Sequence, residues 1–129
     1  MTYCIVNPQH KPRRFYEEAA QEYEKRLSRF CKIRRIKYIG KLCSRDILIN
    51  ITPDGLRLSS EEVAKRLLEI QLSGNFNRVV FTIEHNLSLQ ADESWALTTV
   101  SLPIDLQNVL LLEQIYRGYK IIHNEPYHK

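Results

Sequence analysis

Leu102-Pro103-Ile104-Asp105-Leu106-Gln107-Asn108-Val109-Leu110-Leu111-Leu112-Glu113-Gln114-Ile115-Tyr116-Arg117 is the stretch on which the fold turns. Pro103 closes what precedes it, Asp105 sits well as an N-terminal cap, and Leu106, Val109 to Leu112, Ile115, Tyr116 and Tyr119 carry a final helix. A surface helix needs one apolar stripe, and the four consecutive apolar residues Val109 to Leu112 reach round too much of the circumference for that. Something must cover more than one side of this helix, either its own chain or a partner subunit.

Upstream of it, Ile47 to Ile51 and Arg78 to Ile83 are short runs rich in β-branched residues, the first closed by Pro53, Asp54 and Gly55. Such runs belong to strands buried on both faces. Another strand is expected over about Ala96 to Leu102. Ser59 and Glu62 have capping-box spacing, and Val63, Leu67, Leu68 and Ile70 recur at helical intervals until Gly74, so a helix spans about 60–73. At the other end, Thr2 to Val6 is a strand stopped by Asn7 and Pro8, and Pro12 can open a helix. Phe15, Ala19, Tyr23, Leu27 and Phe30 give that helix one apolar face over about 12–31. Ile33 to Ile39 mixes β-branched and basic residues, as an edge strand does. The alternation of these elements predicts an α/β domain, a mainly parallel sheet with helices on both faces.

Length and composition agree with one domain over residues 1–129: 43% of the residues are apolar and 26% charged, which excludes a disordered chain. No apolar run approaches the length of a membrane span, and Pro8 interrupts any signal-peptide core, so a cytoplasmic protein without membrane association is expected. Cys4, Cys31 and Cys43 have neither metal-ligand nor redox spacing, and neither a disulfide nor a metal is expected. The net charge of +4 is unevenly placed, with a dense run of Lys and Arg between Lys11 and Lys41. That run serves either a solvated surface or a phosphate-contacting face. The adjacent carboxylates Glu17 and Glu18, or Glu61 and Glu62, lie early in helices, where they offset the macrodipole. There is no Gly-rich phosphate loop, nucleophile elbow or paired-histidine metal motif.

Three groups of residues carry a resemblance. Leu102-Pro103 is followed by Leu110-Leu111-Leu112-Glu113-Gln114-Ile115-Tyr116-Arg117 and by Asn124-Glu125-Pro126-Tyr127-His128-Lys129. Near the start stands Tyr23-Glu24-Lys25-Arg26-Leu27-Ser28-Arg29-Phe30-Cys31, and between them Leu58-Ser59-Ser60-Glu61-Glu62 with Leu72-Ser73-Gly74. Together they closely resemble the SPOUT methyltransferases, in the branch that methylates N3 of a pseudouridine in large-subunit ribosomal RNA. The resemblance covers nearly the whole chain. It implies a C-terminal trefoil knot, which physical rules alone disfavour, S-adenosylmethionine as cofactor, a homodimer, and ribosomal RNA or the ribosome as partner.

Carried over residue by residue, the resemblance implies cofactor contacts at Ile51, at Glu84 and His85, and along Thr98, Thr99, Val100, Ser101, Leu102 and Pro103. It implies His128 as proton acceptor and Tyr127 as a stacking or orienting group. Arg13, Arg14, Arg34, Arg35 and Arg117 are candidate RNA contacts, with solvation of helix and strand, or dimer support for Arg117, as the other use of those charges. The chain also departs from the family. Glu84 and His85 stand where the family has two glycines that give the cofactor clearance, and Ile104 and Asn108 stand where it has a histidine and an arginine. It is shorter than typical members, through losses before Ile47 and between His85 and Trp95. A dimeric relative that binds RNA or ribosomes without methyl transfer is the second function compatible with these departures.

Overall fold

The computed structural model describes residues 1–7, 11–83 and 90–125. Eight elements follow in the order β1 (Thr2–Val6), α1 (Arg14–Leu27), β2 (Lys32–Ile36), β3 (Asp46–Arg57), α2 (Ser60–Ser73), β4 (Arg78–Ile83), β5 (Glu93–Ala96) and α3 (Ile104–Ile122). The strands form one sheet in the order β2-β1-β4-β3-β5, and every neighbouring pair is parallel. The α/β class and the parallel sheet are as the sequence predicts.

The helices are distributed differently from the expectation. Tyr3, Ile5, Ile47, Ile49, Ile51, Val79, Phe81 and Ile83 point to one face, and the buried residues of α1, α2 and α3 all pack there with them. The opposite face, made by Cys4, Val6, Leu48 and Val80, packs with Ile36 at the end of β2 and is covered by Ile39, Leu42 and Ala91 from connecting segments. Among the described residues the sheet thus carries helices on one face only. The central strands still read as continuous apolar runs because chain buries them on both sides.

The last helix finds its cover mainly at home. α3 lies between α1 and α2, with Leu111, Leu112, Ile115 and Tyr119 in the core and Val109 and Leu110 half-buried. The Tyr119 and Tyr3 hydroxyls are 2.8 Å apart, and the Gln71 side-chain amide donates to Tyr119 at 3.0 Å, which joins β1, α2 and α3 by polar contacts inside the core. Burial pushes the Tyr3 hydroxyl up to about 12, so this network stays protonated.

Two element boundaries shape the site. Helix α2 begins as expected: the Glu62 amide donates to the Ser59 hydroxyl at 3.1 Å, and the Ser59 amide donates to the Glu62 carboxylate at 3.0 Å. Gly74 ends it with φ +69°. Strand β3 outruns its expected end at Ile51, because the chain bulges between Ile51 and Leu56 and then pairs again with β5. Pro53, Asp54 and Gly55 are the bulge, not a terminator. A Cβ on Gly55 would lie 2.7 Å from backbone atoms of Ser94 and Trp95, so only glycine lets the two strands approach this closely. Strand β5 accordingly lies at Glu93–Ala96, earlier than about Ala96 to Leu102. Cys4 is buried, Cys31 partly buried and Cys43 exposed.

Candidate functional site

In an open parallel sheet, ligands bind beyond the carboxyl ends of the strands, where consecutive connections leave in opposite directions. Here the chain leaves β1 for β2 on one side, and leaves β4 past β3 for β5 on the other. The switch point therefore lies between β1 and β4. Ile51 at the bulge in β3 pairs with Ile83, the last residue of β4, and also with Trp95 of β5. The carboxyl ends of β4, β3 and β5 are thus side by side, and they lead to three of the sequence-predicted cofactor segments.

Ile51 is buried as a whole residue, at 1% exposed. Thr98 to Pro103 forms the coil from β5 to α3. Thr99, Val100, Ser101 and Pro103 are exposed, and Thr98 and Leu102 are half-buried. The Thr98 hydroxyl donates to the Val100 carbonyl at 2.5 Å, and the buried Gln107 side-chain amide donates to the Leu102 carbonyl at 2.7 Å. The Thr98, Thr99 and Val100 amides make no backbone hydrogen bond among the described residues. Open backbone donors at the edge of a parallel sheet suit the hydrogen-bonding edge of a nucleoside, so these residues fit the adenosyl part of S-adenosylmethionine. Glu84 and His85 fall outside the described residues, as do Tyr127 and His128.

The arginines divide by partner. The Arg13 backbone amide and guanidinium all bond to Asp105, with Nε and an Nη at 2.9 and 3.0 Å from the two carboxylate oxygens. Asp105 is 1% exposed and lies within α3, after Pro103 at the N-cap position. The expected cap is instead a buried clamp between the starts of α1 and α3. Arg14 pairs with Glu18 on the surface. Arg35 is held by Glu17 at 2.6 Å and Glu24 at 2.7 Å. Hydrogen bonds from Arg35 hold the Glu17 carboxyl below its usual range, whereas burial dominates at Glu24 and raises it. Arg117 bonds to Glu113 at 2.6 Å and to the Ser60 hydroxyl at 3.1 Å. Arg34, on the edge strand, is exposed, as are Lys11, Lys37 and Lys41, and none of the four has an ion pair among the described residues.

Sequence reasoning missed two features of this edge. The side-chain oxygens of Asn7 and Asn108 are buried without a hydrogen-bond partner among the described residues, and both residues line a cleft of about 350 Å³ at the ends of β1 and β2. Asn7 was legible only as a strand terminator, and Asn108 only as a departure from a family pattern. No helix among the described residues is long and apolar enough to cross a membrane. No group of three His, Cys, Asp or Glu that could hold a metal occurs among them.

A parallel α/β sheet with a cofactor-compatible carboxyl edge is one of several folds of its kind, and comparison with known proteins gives its class. A family model described as "Predicted SPOUT methyltransferase" matches residues 34–128, so this is a SPOUT methyltransferase domain, and that class implies the C-terminal trefoil knot. Over 135 residues, spanning all of both chains, the protein is 36% identical to "Ribosomal RNA large subunit methyltransferase H 1" of Thermoanaerobacter sp. strain X514. It is 31% identical to "Ribosomal RNA large subunit methyltransferase H" of Acetivibrio thermocellus over 90% of this chain and 92% of the relative. The protein of that name in Clostridioides difficile strain 630 is 32% identical over 84% and 87%. The chain belongs to the ribosomal RNA large subunit methyltransferase H family.

Proposed function

We propose that this protein methylates N3 of a pseudouridine in large-subunit ribosomal RNA, using S-adenosylmethionine. The observation that carries the reading is end-to-end similarity to relatives named for large-subunit ribosomal RNA methylation. The carboxyl edge of β4, β3 and β5, followed by Thr98 to Val100 whose amides make no backbone hydrogen bond among the described residues, supports the cofactor assignment. When bound, S-adenosylmethionine supplies an electrophilic methyl group.

The chain's own part is to hold two reactants in line and to move one proton. The backbone of Ile51 and the coil from Thr98 to Pro103 hold the adenosyl part, with Glu84 and His85 as the further cofactor contacts that the family resemblance implies. His128 accepts the N3 proton and Tyr127 orients the base, on the strength of the terminal Pro-Tyr-His-Lys motif. Arg34 contacts phosphate, with Arg13, Arg14, Arg35 and Arg117 contributing only as far as their carboxylate partners release them. The protein acts in the cytoplasm as a homodimer, its two copies meeting near the half-buried Val109 and Leu110 and the 59%-exposed Val100.

The test uses purified protein, ribosomes from cells lacking the modification, and S-adenosylmethionine with a deuterated methyl group. Nucleoside mass spectrometry should show labelled N3-methylpseudouridine, and sedimentation should show twice the 15.3 kDa chain mass. Unlabelled nucleosides after prolonged incubation would reject methyl transfer, and a 15.3 kDa species alone would reject the dimer.

A further inference from the structure

The cleft at the ends of β1 and β2 has no part in the cofactor arrangement above, yet its lining is specific. Its volume of about 350 Å³ lies within the range of small-molecule sites, roughly 300–1,000 Å³. Asn108 is 2% exposed, and its side-chain oxygen, like that of Asn7, has no donor among the described residues. Native proteins seldom bury an acceptor without a partner, and two beside one cleft ask for a ligand that brings N–H groups. Pro12 and Ile36 supply apolar wall, and the exposed Lys11 and Lys37 supply positive charge. Arg35 also lines the cleft, but Glu17 and Glu24 hold its charge. These exposed lysines, without an ion pair among the described residues, disfavour a cationic ligand and favour an anion.

A flat apolar body, an edge of ring N–H groups and an anionic tail together describe a nucleotide of one kind. Uracil, pseudouridine and guanine each carry a ring N–H beside a carbonyl, so a side-chain amide can accept from the first and donate to the second. Cytosine and adenine have no such ring N–H. We propose that this cleft binds a nucleotide of the RNA whose base carries a ring N–H next to a carbonyl, through Asn7 and Asn108, with its phosphate toward Lys11 and Lys37. The proposal rests on the RNA-methylating reading for its choice of macromolecule.

Uridine, guanosine, cytidine and adenosine 5′-monophosphates and inorganic phosphate are titrated separately into ¹⁵N-labelled protein, following the side-chain amide signals of Asn7 and Asn108. Uridine and guanosine monophosphates should move these signals and bind at least about tenfold more tightly than the other three probes, the discrimination expected of one bidentate amide contact. Asn108→Leu should erase the preference. Asn7→Leu gives the same readout should the buried change prevent folding, and Lys37→Glu should weaken all four nucleotides without changing their order. Equal binding of all nucleotides and phosphate, a preference unaltered in both asparagine variants, or no movement of the amide signals overturns the proposal. Titration of S-adenosylmethionine into the same samples separates the two readings. Loss of base preference with cofactor binding intact rejects the cleft alone, and failure to bind cofactor with base preference intact rejects the methyltransferase reading alone.

Discussion

Replacing Gly55 by alanine tests how the β3 bulge builds the cofactor edge. The added Cβ would lie 2.7 Å from the Ser94 carbonyl carbon and from the Trp95 nitrogen and carbonyl carbon, whereas ordinary contact begins near 3.4 Å. The strands must separate by the difference, about 0.7 Å, and every atom that has to yield is backbone. Trp95 resists the shift because it is 2% exposed and its indole donates to Glu93 at 3.0 Å. Overpacking costs about 1–3 kcal/mol, and an obstruction made of backbone belongs in the upper half of that range. For a domain of this size each kcal/mol lowers Tm by about 3–6 °C, so calorimetry should record a fall of roughly 6–18 °C. Because the bulge joins Ile51 to the strand that leads into Thr98, affinity for S-adenosylmethionine should fall about tenfold or more under conditions where the variant is folded. A Tm within about 2 °C of the parent, with unchanged affinity, would refute the close approach of β3 and β5.

Further predictions concern charge and the segment after β4. Arg78 bonds to Asp46 at 2.7 and 2.9 Å and holds its carboxyl below the usual range, so this contribution is complete above the ordinary aspartate pKa and is lost as pH falls through the lowered one. Asp46→Asn should cost about 1–2 kcal/mol near neutrality, given the partial exposure of Arg78, and nothing in acid; parallel pH profiles for the two proteins would contradict this. Arg34→Glu should weaken ribosome binding and flatten its salt dependence with little change in Tm, while Arg35→Glu should destabilise the fold by placing a third carboxylate beside Glu17 and Glu24. Equal Tm values for the two charge reversals would contradict that division of roles. Glu84→Gly combined with His85→Gly should tighten S-adenosylmethionine binding in calorimetry, since glycine restores backbone clearance; unchanged affinity would show that these side chains do not crowd the cofactor.

The sequence made the elements legible wherever local rules and burial agree. Helix α2 could be placed because Ser59, Glu62 and Gly74 are local signals, and β4 because Val79 to Ile83 is buried throughout. Proline and glycine at 53 and 55 misled, since the same residues that end strands also build bulges, and only the passage of β5 against Gly55 distinguishes the two. The one-sided helix layer was invisible because Leu48 and Val80 are as apolar as Ile47 and Val79, although mere connecting segments cover them. For the site, motif resemblance points to Ile51 and the coil after β5 as candidates, whereas the Asp105 clamp depends on a partner far away in sequence, Arg13. The same holds for Asn7 and Asn108, which share a cleft only after folding.

Amide hydrogen exchange with and without S-adenosylmethionine probes whether the carboxyl edge formed by β3, β4 and β5 binds the cofactor. Cofactor should slow exchange at Ile51 to Gly55 and at Thr98 to Leu102, the open amides of Thr98, Thr99 and Val100 most of all, while the amides of β2 exchange as before. No protection anywhere at saturating cofactor, or protection confined to α1 and β2, would contradict binding at that edge.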